Sequence, residues 1–364
     1  MSLNSPIFDL HCDAVLKLFH RNAHFVTDNA ASHVDIPKMK KGTVNGMFYS
    51  LWSDPVFNGD EAVKRTRLML TTAKAELEKC KNDILFSTNS KDLDTALEQG
   101  KINGFFGIEG GKSINNSLEN LKHFYALGVR RMTLTHTIST DWAGSATDSD
   151  KDKGLSSFGK DVVHLMNELG MVVDVAHTNE RTSLDAVKVS IKPVFCTHGG
   201  ARKVFDADRL ATDETIKAIG ESGGIFGVTM MPNYFIGTNE EVNKKWTEEL
   251  IEKLNSSKNE KGSPDKVAHK NASVFFDTPP PSEVASIEGV IPHFDHVIDL
   301  IGEDQVGIGT DFDGMPFGPK GLEHAGKLDN LRNAMRKHGY SEQRIRKICG
   351  ENVRRVLKEI LPIS

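Results

Sequence analysis

Short apolar or β-branched runs alternate along this chain with longer amphipathic stretches, the pattern of a parallel sheet joined by crossover helices. Eight runs predict strands: IFDLHCD near residue 7, VNGMFYSLW near 44, INGFFGIEGG near 102, VRRMTLTHT near 129, MVVDVAHT near 171, PVFCTHGG near 193, GIFGVTMMP near 224 and QVGIGTDFDG near 305. Eight is the number that closes an α/β (β/α)8 TIM barrel, here expected as one domain over residues 1–364. Between the runs the helical period is plain. Phe158, Val162, Leu165, Met166 and Leu169 recur at helical spacing, with Ser157 placed as the cap and Gly170 as the stop. Thr212 before Asp213 and Glu214 gives a second cap with first-turn acids suited to the positive end of the helix dipole.

The rhythm breaks once. About seventy residues separate the seventh and eighth runs, against about thirty for an ordinary βα unit. This stretch, assigned to 231–290 as an insertion within the barrel, holds a charged helical segment from about 239 to 257, then SSKNEKGSPDK and DTPPPSEV. It reads as a surface excursion or as a lid, because loops after barrel strands lie over the site.

Charge and cysteine usage narrow the classes. The net charge is −5 with a pI near 6.3, and acids and bases are mixed throughout without a basic block, which argues against a nucleic-acid partner. Cys12, Cys80, Cys196 and Cys349 are far apart, so neither a disulfide framework nor a thiolate zinc site is expected. The start MSLNSPIFDL has no basic, apolar leader, and no run approaches a membrane span. The expectation is a cytoplasmic protein without a membrane partner; the oligomeric state, a homodimer included, is left open.

Candidate chemistry collects at the ends of the strand runs. His11 and Asp13 stand two apart in FDLHCD and would project from one face. Alone, such a pair is as well explained by a core histidine held by an acid. Glu109 closes the third run, His136 the fourth, His177 the fifth, His198 the sixth, and Asp311 the eighth. Barrel enzymes place their sites at this end. Seven buried acids and imidazoles converging on one mouth require a shared positive charge, and they exceed what one tetrahedral ion needs, which points to two metals. His293 and His296 have metal-like spacing but lie on an amphipathic helix with Phe294, Val297, Ile298 and Ile301, and are read as structural. GFFGIEGGKS lacks the glycine that a phosphate loop requires.

The ordered set FDLHCD, GIEGG, LTHT, GLSSFGKDVVHLMNELGMVVDVAHT, THGGAR and GIGTDFDG resembles the renal (membrane) dipeptidase family of zinc metallopeptidases, the amidohydrolase-like family M19, over nearly the whole chain. GENVRRVL near 350 is similar to the family's terminal helix. The resemblance implies that His11, Asp13 and Glu109 hold one zinc, that Glu109, His177 and His198 hold the other, and that Glu109 bridges them. It further implies that His136 binds substrate, that Arg209 in DADRL grips the substrate carboxylate with Arg202 as the alternative, and that Asp311 stands beside the metal-bound water. Membrane-bound relatives carry a secretion signal and a lipid-anchor tail, whereas this chain ends KEILPIS, so the anchored form is not expected. ISTDWAGSATD departs from the asparagine-rich sequence of many relatives, which leaves side-chain preference open.

The expected reaction is therefore dipeptide hydrolysis. Two zinc ions would lower the pKa of a shared water and polarise the scissile carbonyl. His136 would stabilise the oxyanion, Asp311 would carry the proton to the leaving amine, and both would touch substrate. Arg209 would bind a free carboxylate bidentately. Manganese, iron or cobalt would also suit these ligands. Other classes remain: an amidohydrolase of N-acyl amino acids or lactams, although such enzymes commonly carry His-x-His on the first strand; a phosphoesterase, which calls for more basic groups; and a non-catalytic binding protein.

Overall fold

The computed structural model describes residues 5–258 and 262–364. Nine parallel strands are present among them: β1 (Ile7–Cys12), β2 (Val44–Trp52), β3 (Ile84–Phe86), β4 (Ile102–Glu109), β5 (Val129–Thr133), β6 (Val172–Asp174), β7 (Val194–Gly199), β8 (Ile225–Thr229) and β9 (Val306–Gly309). Eight close into a barrel in the order β1, β2, β4, β5, β6, β7, β8, β9 and back to β1. These are the eight runs expected from the apolar pattern. The ninth, β3, pairs only with Ile102–Gly104 at the start of β4, outside the closed ring.

The barrel interior is layered. Phe8, Leu10, Phe48, Phe105, Val172, Phe195 and Ile225 come from six strands and form one apolar cluster with Val353, Val356, Leu357 and Ile360 of the helix Asn352–Ile360, which plugs the end opposite the site. The Phe48 and Phe105 rings stack with centroids 5.0 Å apart. Above this plug lies a polar layer in which the Arg131 guanidinium, fully buried, reaches Ser50 Oγ (2.7 Å), Thr197 Oγ1 (3.1 Å) and the Asp174 carboxylate (3.2 Å). Gly107 makes room for it, since a Cβ there would sit 2.2 Å from Arg131 Nε. Arginine suits the place because its planar fork spreads several bonds across neighbouring strands. The mouth above carries the titratable cluster.

Helices pack around the ring as their apolar stripes dictate. Ser157–Leu169 buries Val162, Val163, Leu165 and Met166 and stops at Gly170, which is left-handed at φ 73°. Its cap is Ser156, whose side chain accepts from Gly159 N, and not Ser157 as expected; the residue with extended backbone is the one before the first turn. Thr212 caps Asp213–Glu221 as expected, accepting from Thr215 N. His293 and His296 have structural partners: His293 contacts Ala201 N (3.0 Å) and Tyr234 O (2.8 Å), and His296 contacts Asp213 (2.7 Å).

Between β8 and the helix Ile291–Ile301 stand two further helices, Glu240–Lys258 and Pro264–Asp277. The second is held to the barrel mainly by polar contacts: Arg21 to Asp277 (2.5 Å), Arg65 to Asp265 (3.3 Å), Asn271 to Asp54 (3.0 Å), and the Lys17 ammonium 3.7 Å from the Phe276 ring centroid. No helix of the described residues is long and apolar enough to cross a membrane.

Candidate metal centre and active site

The strand ends bring the expected residues together. His11 lies near the end of β1, where regular pairing with β2 breaks between Asp9 and Cys12, and Asp13 follows at the start of the helix Ala14–His20. Glu109 is the last residue of β4, and His198 lies within β7. His136 and His177 stand three residues beyond β5 and β6, and Asp311 two beyond β9. His177 and Asp311 are left-handed, with φ of 66° and 63°, a conformation uncommon for non-glycine residues that is found where a tight turn redirects a side chain.

Glu109 is the centre of the group. Its Oε1 lies 3.2 Å from His177 Nε2, 3.5 Å from His11 Nε2, 3.5 Å from His198 Nε2 and 3.7 Å from His136 Nε2. His11 Nε2 also meets Asp13 Oδ2 at 3.1 Å and Asp311 Oδ1 at 3.8 Å. His177 and His198 present Nε2 to Nε2 at 2.9 Å. Among the described residues three groupings have candidate ligand atoms within 4.8 Å of one another: His11, Asp13 and Glu109; Glu109, His177 and His198; and His11, His198 and Asp311. Asp13 Oδ1 and His177 Nδ1 are buried without a hydrogen-bond partner. Imidazole nitrogens facing one another across a shared carboxylate, with a buried carboxylate oxygen left over, make a donor set that fits a metal ion; hydrogen bonding alone leaves several of these atoms with the wrong partner.

Electrostatics agree. Burial holds His177 and His198 well below the ordinary histidine value, and His136 down at about 4, so these rings are neutral as ligands or hydrogen-bond donors. Burial raises Asp13 to about 6, with Glu109 adding to it, and raises Asp311 to about 8. For His11 burial is outweighed by Glu109 and Asp13, which lift it to about 10. Glu109 itself is held well below the carboxylate range by His11 despite its burial. His11 is thus the one cationic ring in a cluster of neutral imidazoles and carboxylates, and a divalent ion taking its Nε2 would displace that proton.

Supporting contacts fix the cluster's side chains. His11 Nδ1 is approached by Ser50 Oγ (3.2 Å) and Arg131 Nη1 (2.9 Å). Thr197 Oγ1 contacts His198 Nδ1 at 2.9 Å. Asp9 accepts from Thr310 N (2.8 Å) and Thr310 Oγ1 (2.5 Å), tying β1 to the segment that carries Asp311. Gly314 lets two carboxylates approach, since a Cβ there would lie 2.2 Å from Asp311 Oδ1 and 2.3 Å from Asp13 Oδ2. Arg209 donates to His198 O at 2.9 Å, whereas Arg202 is turned onto the carbonyls of Ala207 (3.1 Å) and Asp208 (2.6 Å) of its own loop. Two cavities flank the cluster. One, about 300 Å³, includes His177, Cys196 and Arg209; the other, about 230 Å³, includes Trp52, Glu109, Lys112 and His136.

The family model of membrane dipeptidase, peptidase family M19, matches residues 1–363. The chain belongs to peptidase family M19. It is a metallo-dipeptidase, a hydrolase acting on peptide bonds, with a buried His/Glu/Asp cluster able to bind metal. Among solved structures, this M19 dipeptidase is similar to dipeptidase AC, a metallopeptidase of family M19, at 25% identity and a TM-score of 0.80, with 99% of each chain covered. It also shares its fold with a metallopeptidase from Rhodobacter sphaeroides liganded with a phosphinate mimic of the dipeptide L-Ala-D-Ala, at 24% identity and a TM-score of 0.79, covering 98% of this chain and 99% of that one. An amidohydrolase from Pseudomonas aeruginosa has the same fold at 21% identity and a TM-score of 0.73, covering 98% and 97%.

Residue patterns alone did not single out Trp52, Ser50, Arg131, Asp174 or Gly314. Trp52 and Ser50 end a strand run in which every second residue faces inward, and that register was the available signal.

Proposed function

We propose that this M19 dipeptidase hydrolyses dipeptides with two divalent ions, zinc foremost, held by His11, Asp13 and Glu109 on one side and by Glu109, His177 and His198 on the other. The observation that carries this reading is the Glu109 carboxylate oxygen with four imidazole nitrogens within 3.7 Å, a bridging position between two sets of ligands. When bound, such ions activate water near neutral pH and polarise a carbonyl. The remaining roles belong to side chains. His136, neutral and facing the cluster, donates a hydrogen bond to the carbonyl oxygen as charge develops there. Asp311, partly exposed where the other carboxylates are buried, would be returned to its carboxylate form by cations held beside it, and as such it accepts the proton of the attacking water and passes it to the departing amine. The third grouping also admits Asp311 as a ligand, and exposure favours the proton role.

Arg209 serves as the anchor for the free carboxylate, because its guanidinium is beside the His198 ligand while Arg202 is engaged with its own loop. The two flanking cavities give a dipeptide's side chains one space each. The whole chain, 1–364, is read as one barrel domain, with 231–290 an insertion within it.

The test is a panel of dipeptides, N-acyl amino acids and phosphoesters, assayed on chelator-stripped protein with and without added zinc. Zinc-dependent release of free amino acids from dipeptides, with little turnover of the others, is expected. Preferred hydrolysis of N-acyl amino acids would replace the substrate assignment, and phosphoester turnover alone would replace the reaction.

A further inference from the structure

Trp52 ends β2 directly opposite Glu109 in the β2–β4 register. Its indole Nε1 lies 3.0 Å from His136 Nδ1, with the two rings edge to face and centroids 5.4 Å apart. An indole N–H can only donate, so the Nδ1 that receives it must present its lone pair. A neutral imidazole then carries its proton on Nε2. That nitrogen is the one turned to the cluster, 3.7 Å from Glu109 Oε1.

We propose that Trp52 is a positioning residue that fixes His136 as an Nε2–H donor aimed at the carbonyl oxygen of the scissile bond. The proposal rests on the reading of His136 as the oxyanion donor, and it adds what holds that donor ready. The rest of the pocket fixes the ring's place without fixing its proton. The His136 ring lies 4.2 Å, centroid to centroid, from that of His177, and its Cβ is 3.4 Å from where a side chain on Gly110 would begin. The remaining neighbour of Nδ1 is Thr137 Oγ1 at 3.3 Å. A hydroxyl both donates and accepts, so without the indole it can take an Nδ1 proton and leave a bare lone pair on Nε2. A lone pair there repels a developing oxyanion, and it competes for metal in place of donating. Trp52 removes that choice because its N–H has one polarity. The strand register makes the arrangement local: the same β2–β4 pairing that seats Glu109 at the mouth seats the indole beside it.

The experiment compares Trp52→Phe, His136→Ala and the double variant in the zinc-loaded enzyme, with metal content measured for each. Phenylalanine keeps an aromatic ring, smaller than the indole, and removes the N–H. Trp52→Phe is expected to lower kcat roughly tenfold with KM nearly unchanged, consistent with loss of one neutral hydrogen bond, and His136→Ala to lower kcat roughly 10²- to 10³-fold. The double variant should be no slower than His136→Ala, because Trp52 acts through His136. Histidine ring nitrogen NMR supplies a readout apart from turnover: His136 should show a protonated Nε2 and a bare Nδ1 in the parent enzyme, with an Nδ1-protonated population appearing in Trp52→Phe. The three tryptophans give three indole N–H signals, and the one lost in Trp52→Phe should move in His136→Ala. Multiplying losses in the double variant, an unimpaired Trp52→Phe alongside an impaired His136→Ala, or a parent His136 protonated at Nδ1 would each overturn the proposal while sparing the role of His136. An unimpaired His136→Ala would overturn both.

Discussion

Asp174→Ala should be among the most destabilising single changes in this barrel. Asp174 is fully buried and accepts from Arg131 Nη1 (3.2 Å), Thr133 Oγ1 (2.6 Å), Thr197 Oγ1 (2.7 Å), Ala176 N (3.0 Å) and Thr197 N (3.0 Å). Alanine removes five bonds at once and leaves the Arg131 guanidinium, also fully buried, without its counter-charge. Breaking one side of a buried ion pair costs about 3 to 5 kcal/mol. The two backbone amides left without their acceptor add to this, so the upper half of this range is the expectation. Equilibrium urea unfolding of chelator-treated protein removes metal linkage from the comparison. The partner change Arg131→Met should cost several kcal/mol alone, and the double variant should cost clearly less than the sum, because no unpaired charge then remains. A loss below about 1 kcal/mol for Asp174→Ala, or additivity of the pair within about 0.5 kcal/mol, would refute the view that this layer is a charge pair under the His/Glu/Asp cluster.

Three further outcomes follow from the site and its supports. Asp311→Asn should lower turnover by about 10²- to 10⁴-fold with metal content unchanged; loss of one metal equivalent would make Asp311 a ligand. Arg209→Ala should weaken processing of free-acid dipeptides by about ten- to a hundredfold and of amidated ones far less, and equal losses would move the anchor elsewhere. His20 is held down at about 4, from 6.5, by burial and then by Arg65 and His269, so its neutral form is the one the fold accepts. Its contribution is complete above pH 6.5 and is lost as pH falls toward 4, by roughly 2 kcal/mol after allowance for partial exposure. His20→Gln should therefore lose less stability than the parent between pH 7 and 4.5, and parallel losses in urea unfolding would contradict the assignment.

The barrel was legible because its eight strands are short runs rich in apolar residues set between longer amphipathic stretches, as strands buried on both faces tend to be. β3 was not, since Ile84–Phe86 is three residues long and pairs outside the ring. The His/Glu/Asp cluster was legible from its place at strand ends, where chemistry-bearing side chains have no reason to recur in a purely structural barrel. Their supports were hidden by distance along the chain. Trp52 meets His136 across 84 residues and Arg131 meets Asp174 across 43, and nothing in either local sequence names the partner. Arg202 and Arg209 occupy one loop and carry the same charge, so only the fold separates the one that grips its own loop from the one beside His198. The cap at Ser156 slipped by one residue because two serines stand in succession.

The central claim is that one carboxylate, Glu109, joins two metal sites that act together on a dipeptide. Its most direct test is dipeptide hydrolysis by chelator-stripped protein titrated with zinc, with bound metal measured at each point. Activity should rise with binding and level off at about two equivalents per chain. Full activity in the stripped protein, or a plateau at about one equivalent with no second ion bound, would contradict it.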